Sequence, residues 1–270
     1  MEKEIITSAQ NPKIKHLLLL QQKSSERRRC GLFVVEGQRE LAHCLNAGYE
    51  LETLFFCPDI AEEAGLDAFL PSLPHQSSAL SCVNISRALY EKVAYRGSTE
   101  GVIAEVKSRH ATLKGLSLPD NPLIVVLEGV EKPGNLGAVL RSADAAKADA
   151  VIVCDPLTDL FNPNLIRSSI GAVFTVPTVA CSSEECISFL KDKNIQILTA
   201  QLQDASLYYD TPMTGGTAIV MGTESTGLTN QWREAADAHI RIPMLGKLDS
   251  LNVSVSAAIL MFEAVRQRAW

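Results

Sequence analysis

The feature that most constrains this chain is a succession of short apolar runs that do not alternate with polar residues. "LIVVLEGV" (123–130), "AVIVCD" (150–155), "VFTVPTV" (173–179), "IQILTA" (195–200), "TAIVMG" (217–222) and "AHIRIP" (238–243) follow one another. A strand that is apolar on both sides is buried on both faces, and such strands build parallel sheets covered by helices. The segments between fit: "NLGAVLRSADAA" (135–146), "PNLIRSSIG" (163–171, stopping at Gly171) and "SEECISFLKDK" (183–193) read as helices. A last helix is expected from about Ser250 to Arg268. An α/β domain is therefore expected over residues 122–270.

A second, smaller α/β unit is expected over residues 1–107. "LFVVEG" (32–37), "LETLFFC" (51–57) and "GVIAEV" (101–106) read as strands. Residues 10–22, "QRELAHCLNA" ahead of Gly48, and "ISRALYEKVA" (85–94) read as helices. Between the units lies "KSRHATLKGLSLPDNP" (107–122), polar and ending in two prolines. Residues 108–121 are the expected linker.

Charge separates the two parts. The net charge is −6, yet residues 1–40 carry eight Lys/Arg against five Asp/Glu, and the remainder 17 against 26. The local excess comes from Lys13, Lys15, Lys23 and Arg27 to Arg29. Such a run is often a solvated face, but it also suits phosphate contacts. No apolar run approaches the ~18–20 residues of a membrane span, and the charged N-terminus has no signal-peptide core, so a cytoplasmic location is expected. The seven cysteines are scattered without a C-x-x-C pair. Buried thiols are expected, and no disulfide framework or metal site.

Three stretches carry chemistry. The first, "EKPGNLGAVLRSADA" (131–145), lies where a strand gives way to a helix, a place where backbone N–H groups favour anions. Its glycines are spaced G-x-x-G, which fails the G-x-G-x-x-G of a dinucleotide fold and disfavours a nucleotide-dependent oxidoreductase. Asn135 could cap the helix. Arg141, six residues on among apolar neighbours, needs a carboxylate or a phosphate to clamp. The second, "IVMGTESTGL" (219–228), runs from strand through Gly222 to a helix. It sets Glu224 at the strand's carboxyl end, where open α/β sheets hold ligands. The alternative for Glu224 is an acid favoured by the helix dipole. The third, "IRIPMLGKLDSLNVSVSAA" (240–258), has a polar start, Ser250, Asn252, Ser254 and Ser256, on an otherwise apolar terminal helix. Ser250 or Asp249 could cap that helix, with Asn252 and Ser256 on one face.

Taken together, Asn135, Gly137 and Arg141, then Gly222, Glu224, Gly227 and Leu228, then Ile242, Pro243, Met244 and Ser250 to Ser254 resemble the SpoU-type RNA 2′-O-ribose methyltransferases. These belong to the trefoil-knotted SPOUT class, in the TrmH family. Residues 1–107 resemble the ribosomal-protein-L30e-like substrate-binding domain that often precedes this catalytic domain. Asp249 departs from the family's usual Glu.

The resemblance implies S-adenosyl-L-methionine as cofactor, bent within a knot and held by Thr199, Ala200, Gly222, Ile242, Met244 and Leu251. It implies methyl transfer to a ribose 2′-oxygen, with Arg141 at that oxygen or its phosphate. Asn135 and Glu224 would hold Arg141 and the ribose, and Ser250 and Asn252 would line the same pocket. It implies a homodimer through the C-terminal domain. RNA, most simply 23S-type rRNA, would meet the N-terminal domain at Lys13, Arg27, Arg28, Arg29 and Arg96. The readings that compete are a tRNA methyltransferase on the same scaffold and a non-catalytic ribosome- or RNA-binding protein of the same fold.

Overall fold

The structure, a computed structural model, describes residues 5–63, 81–95, 100–223 and 226–269. Two compact units divide the chain: Met1–Arg109 together with Phe161–Thr175, and His110–Leu160 together with Val176–Trp270. Among the described residues, no helix is long and apolar enough to cross a membrane.

The first unit has a mixed sheet of β1 (Ile5–Ile6), β2 (Leu32–Glu36), β3 (Leu51–Phe56), β4 (Ser81–Ile85) and β5 (Val102–Lys107), in the order β1-β4-β3-β5-β2. β5 runs antiparallel to both β2 and β3, and the remaining pairs are parallel. Its helices are α1 (Pro12–Gln22), α2 (Ser24–Cys30), α3 (Gln38–Asn46), α4 (Pro58–Glu63) and α5 (Arg87–Val93). α1 starts where the Asn11 side chain accepts the Lys13 N–H and Pro12 presets the first turn. Ile14, Leu17 and Leu20 recur at i, i+3, i+6 and are fully buried. α2 ends at Gly31, whose φ of +64° turns the chain into β2.

The segment α7 (Pro163–Ser168) and α8 (Ala172–Thr175) belongs to this unit. The expectation of a strand over 173–179 fails here. Phe174 and Phe161 stack on Phe33, with centroids 5.9 and 4.5 Å apart, and Tyr49 meets both edge-on. That aromatic contact holds residues 172–175 in one helical turn against their β-branched preference. The strand begins only after Pro177.

The second unit carries a seven-stranded sheet, parallel throughout. Its strands are β6 (Leu123–Glu128), β7 (Ala150–Cys154), β8 (Thr178–Cys181), β9 (Gln196–Ala200), β10 (Ser206–Leu207), β11 (Thr217–Met221) and β12 (Ala238–Arg241), in the order β10-β12-β9-β11-β6-β7-β8. β6, β7 and β11 are buried at every position, as uninterrupted apolar runs require. Among the described residues the α-helices that accompany the sheet are α6 (Pro133–Ala145), α9 (Ser183–Asp192), α10 (Asn230–Ala235) and α11 (Val253–Ala269), with α6 against α11. α9 opens on a capping box between Ser182 and Glu185. Fully buried Trp232 fills the core between sheet and helices, its indole N–H donating to Ser183 Oγ at 2.9 Å. Leu113, Leu116 and Leu118, within the stretch read as a linker, pack on this same core.

From β6 the chain proceeds to β7 and β8 on one side, then returns through β9 to the other. That reversal opens a crevice outside the strands' carboxyl ends. It gathers the loops after β9, β11 and β12, which are neighbours in the sheet.

Candidate active site

Those three loops enclose a cavity of about 550 Å³, within the range of sites that bury a cofactor-sized molecule. Its wall includes Ala200 at the end of β9, Gly222 after β11, and Ile242, Met244, Ser250 and Leu251 after β12. All six stand among the residues expected at the site, from segments up to about fifty residues apart in sequence. A second cavity of about 160 Å³ adjoins it. Gly222, Thr223 and Val253 line both, and Val130, Glu131, Lys132 and Asn135 complete the smaller one.

Gly222 is required by close approach. A Cβ there would lie 2.2 Å from the Gly227 carbonyl carbon and 2.5 Å from the Leu228 nitrogen. The loop doubles back on itself: the Gly227 N–H donates to the Thr223 carbonyl at 3.0 Å, and the Thr226 N–H to Thr223 Oγ1 at 3.1 Å. Any side chain at 222 would force this backbone apart. Glu128 secures the loop's far end. It is a buried carboxylate at the tip of β6 that accepts from the Thr229 N–H at 2.9 Å and the Thr229 hydroxyl at 2.7 Å.

The terminal helix begins at Val253, three residues later than expected, and neither Ser250 nor Asp249 caps it. Asn252 does. Its Oδ1 accepts from the Ser254 N–H at 2.9 Å and the Ser254 hydroxyl at 2.6 Å, and its carbonyl from Val255 and Ser256. With Oδ1 engaged, Nδ2 donates to Asn135 Oδ1 at 3.2 Å. Ser250, freed from the helix, lines the large cavity, its hydroxyl donating to Asp249 Oδ1 at 3.3 Å. α6 begins at Pro133, so Asn135 stands in its first turn and is not its cap. Arg141 is solvent-exposed on α6 and lines neither cavity.

Thr199 is fully buried behind the cavity wall, contrary to a direct contact role. Its hydroxyl meets His239 Nδ1 at 2.6 Å, and it is His239 that reaches the cavity. The pairing follows from register, since Thr199 and His239 are Cα partners on β9 and β12. Arg233 and Asp204 also line the cavity without a motif to announce them, and Arg241 does so from within the third stretch, where it was not singled out.

In the first unit, Lys13, Arg28 and Arg29 are exposed. Arg29 donates through Nε to Glu26 Oε2 at 3.1 Å. Arg27 corrects the expectation of a phosphate contact. It is 5% exposed, and its guanidinium donates to the Leu20 and Gln21 carbonyls at 2.6 and 3.3 Å. It satisfies carbonyls at the end of α1 that the helix leaves open. Glu224 and Arg96 lie outside the described residues.

The SpoU rRNA Methylase family matches residues 122–262, and the MRM3-like substrate binding domain matches residues 11–104. The 23S rRNA (guanosine-2′-O-)-methyltransferase RlmB of Photobacterium profundum is 35% identical over 209 residues, covering 75% of this chain and 85% of that one. RlmB of Escherichia coli K12 is 41% identical over 178 residues, covering 63% and 72%. A crystal structure of an RNA 2′-O ribose methyltransferase, 39% identical, aligns over 99% of this chain and 100% of that chain with a TM-score of 0.84. An AdoMet-bound rRNA methyltransferase from Sinorhizobium meliloti, 26% identical, aligns over 98% of each chain with a TM-score of 0.85.

Proposed function

The chain belongs to the SpoU rRNA Methylase family, and we propose that it transfers a methyl group from S-adenosyl-L-methionine to a ribose 2′-oxygen of 23S-type rRNA. The observation that carries this reading is the pair of adjoining cavities: a large one that sets the aliphatic Ile242, Met244 and Leu251 beside Gly222 and polar groups such as His239 and Ser250, and a small one reaching Asn135 beside Asn252.

The large cavity fits the cofactor. The turn at Gly222 leaves no room for a Cβ, so backbone polar groups stand at the surface to read an adenine edge, while Ile242, Met244 and Leu251 cover its faces. S-adenosyl-L-methionine supplies an activated methyl group on a sulfonium centre. The protein's remaining task is to align a weakly acidic hydroxyl and to stabilise the charge that develops on it. Arg141 takes that part as orienter and electrostatic stabiliser at the 2′-oxygen or its phosphate. A guanidinium, with a pKa above ~12, is a poor base. Its exposure on α6 suits a group that meets RNA. Asn135 and Glu224 hold the ribose and Arg141, and Ser250 and Asn252 complete the pocket. Thr199 acts through His239.

The catalytic domain is proposed to span 122–270, with its C-terminal segment threaded as a trefoil knot, after a linker at 108–121. The domain over 1–107 is proposed to be L30e-like and to recognise RNA, with Lys13, Arg28, Arg29 and Arg96 on phosphates. Its match to a substrate-binding domain supports this. The enzyme is proposed to work in the cytoplasm as a homodimer through the C-terminal domain. Val255 and Phe262, seven residues apart on one face of α11, are exposed, as are Leu245 and Leu248. Exposed apolar residues on one helix face suit a partner surface.

The test is methyl transfer from labelled cofactor to deproteinised rRNA and, separately, to bulk tRNA, mapped by resistance to alkaline cleavage, which needs a free 2′-hydroxyl. One resistant site in 23S rRNA is expected. Label in tRNA alone would overturn the substrate. Failure to bind the cofactor would overturn the reaction.

A further inference from the structure

Helices α1 and α2 of the first unit present three unlike donor groups to one another. Cys30 Sγ lies 3.7 Å from His16 Nε2 and 3.4 Å from Glu26 Oε1, and the three donor atoms all lie within 4.8 Å of each other. In tetrahedral zinc, Zn–S of about 2.3 Å and Zn–N or Zn–O of about 2.0–2.2 Å set S···N and S···O separations near ~3.5 Å. Both separations found here are within a few tenths of an ångström of that value. Glu26 and Cys30 owe their shared face to i, i+4 spacing on α2.

The support behind the histidine is equally particular. His16 Nδ1 lies 3.0 Å from Glu105 Oε1, and Glu105 is 4% exposed on β5. A buried carboxylate accepting from Nδ1 fixes the tautomer and directs the Nε2 lone pair at Cys30. Metal-binding histidines are oriented by this kind of outer partner. Arg29 holds the Glu26 carboxylate through both oxygens, Nε on Oε2 and Nη2 on Oε1, so an ion at Oε1 shares that oxygen with Nη2 or displaces it.

We propose that His16, Glu26 and Cys30 bind one zinc ion, with a water molecule as fourth ligand. Binding exchanges the Cys30 thiol proton, now directed at Glu26 Oε1, for the metal, and that proton leaves to solvent. The ion ties α1 to α2 and so holds the exposed Arg28 in place. The site does not depend on the methyl-transfer reading. Cys154, Cys181 and Cys186 of the second unit also gather their sulfurs within 4.8 Å. They supply the control, because an all-thiolate set would give a different signature.

The experiment is titration of the reduced full-length protein with Co²⁺, followed by visible and near-ultraviolet absorption, then displacement by Zn²⁺. The expected result is one equivalent with tetrahedral bands and a thiolate-to-cobalt charge-transfer band, bleached by zinc. Cys30→Ser should remove that equivalent, and His16→Gln should do so with all thiols intact. Glu105→Gln should weaken it about 10–100-fold. The double variant Cys154→Ser/Cys181→Ser should retain it. No tetrahedral spectrum, or one that survives both Cys30→Ser and His16→Gln, would overturn the assignment.

Discussion

The Asn252 side-chain amide donates to Asn135 Oδ1 at 3.2 Å, joining residues 117 positions apart in the chain. The same amide's oxygen caps the terminal helix. One side chain therefore does two jobs that substitution can separate. Asn252→Asp keeps an oxygen for the cap but loses the donor. Its stability should stay within about 0.5 kcal/mol of wild type while methyl transfer falls at least tenfold. Asn252→Ala should lose activity and, in addition, about 1 kcal/mol of stability. Chemical denaturation beside single-turnover methylation distinguishes the two; equal stability losses would sink the division of roles.

Gly222→Ala should abolish measurable cofactor binding by calorimetry. The added Cβ meets backbone of residues 227 and 228 at 2.2–2.5 Å, and backbone cannot yield as a flexible side chain does. The loop must open, at a cost of about 1–3 kcal/mol in stability. Wild-type affinity in this variant would mean that the loop is not part of the cofactor wall.

Arg141→Ala should leave cofactor affinity unchanged, since Arg141 lines neither cavity, and lower the rate at saturating RNA by about 10²-fold or more. Arg141→Lys should recover little, because a point charge cannot reproduce the planar fork. A wild-type rate for Arg141→Ala would remove it from the mechanism.

Arg27 and Arg28 are adjacent yet should behave oppositely. Arg27→Ala strands carbonyls at the end of α1 and should cost about 1–3 kcal/mol of stability. Arg28→Ala should leave stability unchanged and reduce the salt dependence of RNA binding by about one phosphate contact. Thermal unfolding and binding measured across a salt series separate them.

On α11, the Arg266 guanidinium holds the Glu263 carboxyl below its ordinary value of 4.5, with a further hydrogen bond from the Gln267 amide. A depressed carboxylate contributes stability above its unfolded pKa and loses it as pH falls through the folded value. The stability difference between wild type and Glu263→Gln should be full at about pH 6 and shrink as pH falls through 4.5 and below. A difference that grows toward acid would contradict the pairing.

The sequence by itself determined the parallel sheet at β6, β7 and β11, because uninterrupted apolar runs suit strands buried on both faces and those strands stand where the runs are. It also marked the residues of the three strand-end loops, since glycine, proline and small polar residues at strand ends follow from local backbone demands. Only the tertiary structure decided the rest. Residues 172–175 became a helix because Phe33 and Tyr49 were there to receive Phe174. Arg27 went inside because α1 ended with open carbonyls within its reach, while Arg28 on the next spoke of the same helix stayed in water. His239 reached the cavity through its register with Thr199 across two strands. Asn252, and not Ser250, capped the last helix because Ser254 could be captured as the chain entered it. Each of these outcomes depends on a contact between residues distant in sequence or on a choice between neighbouring partners. Local pattern carries no information about which partner arrives.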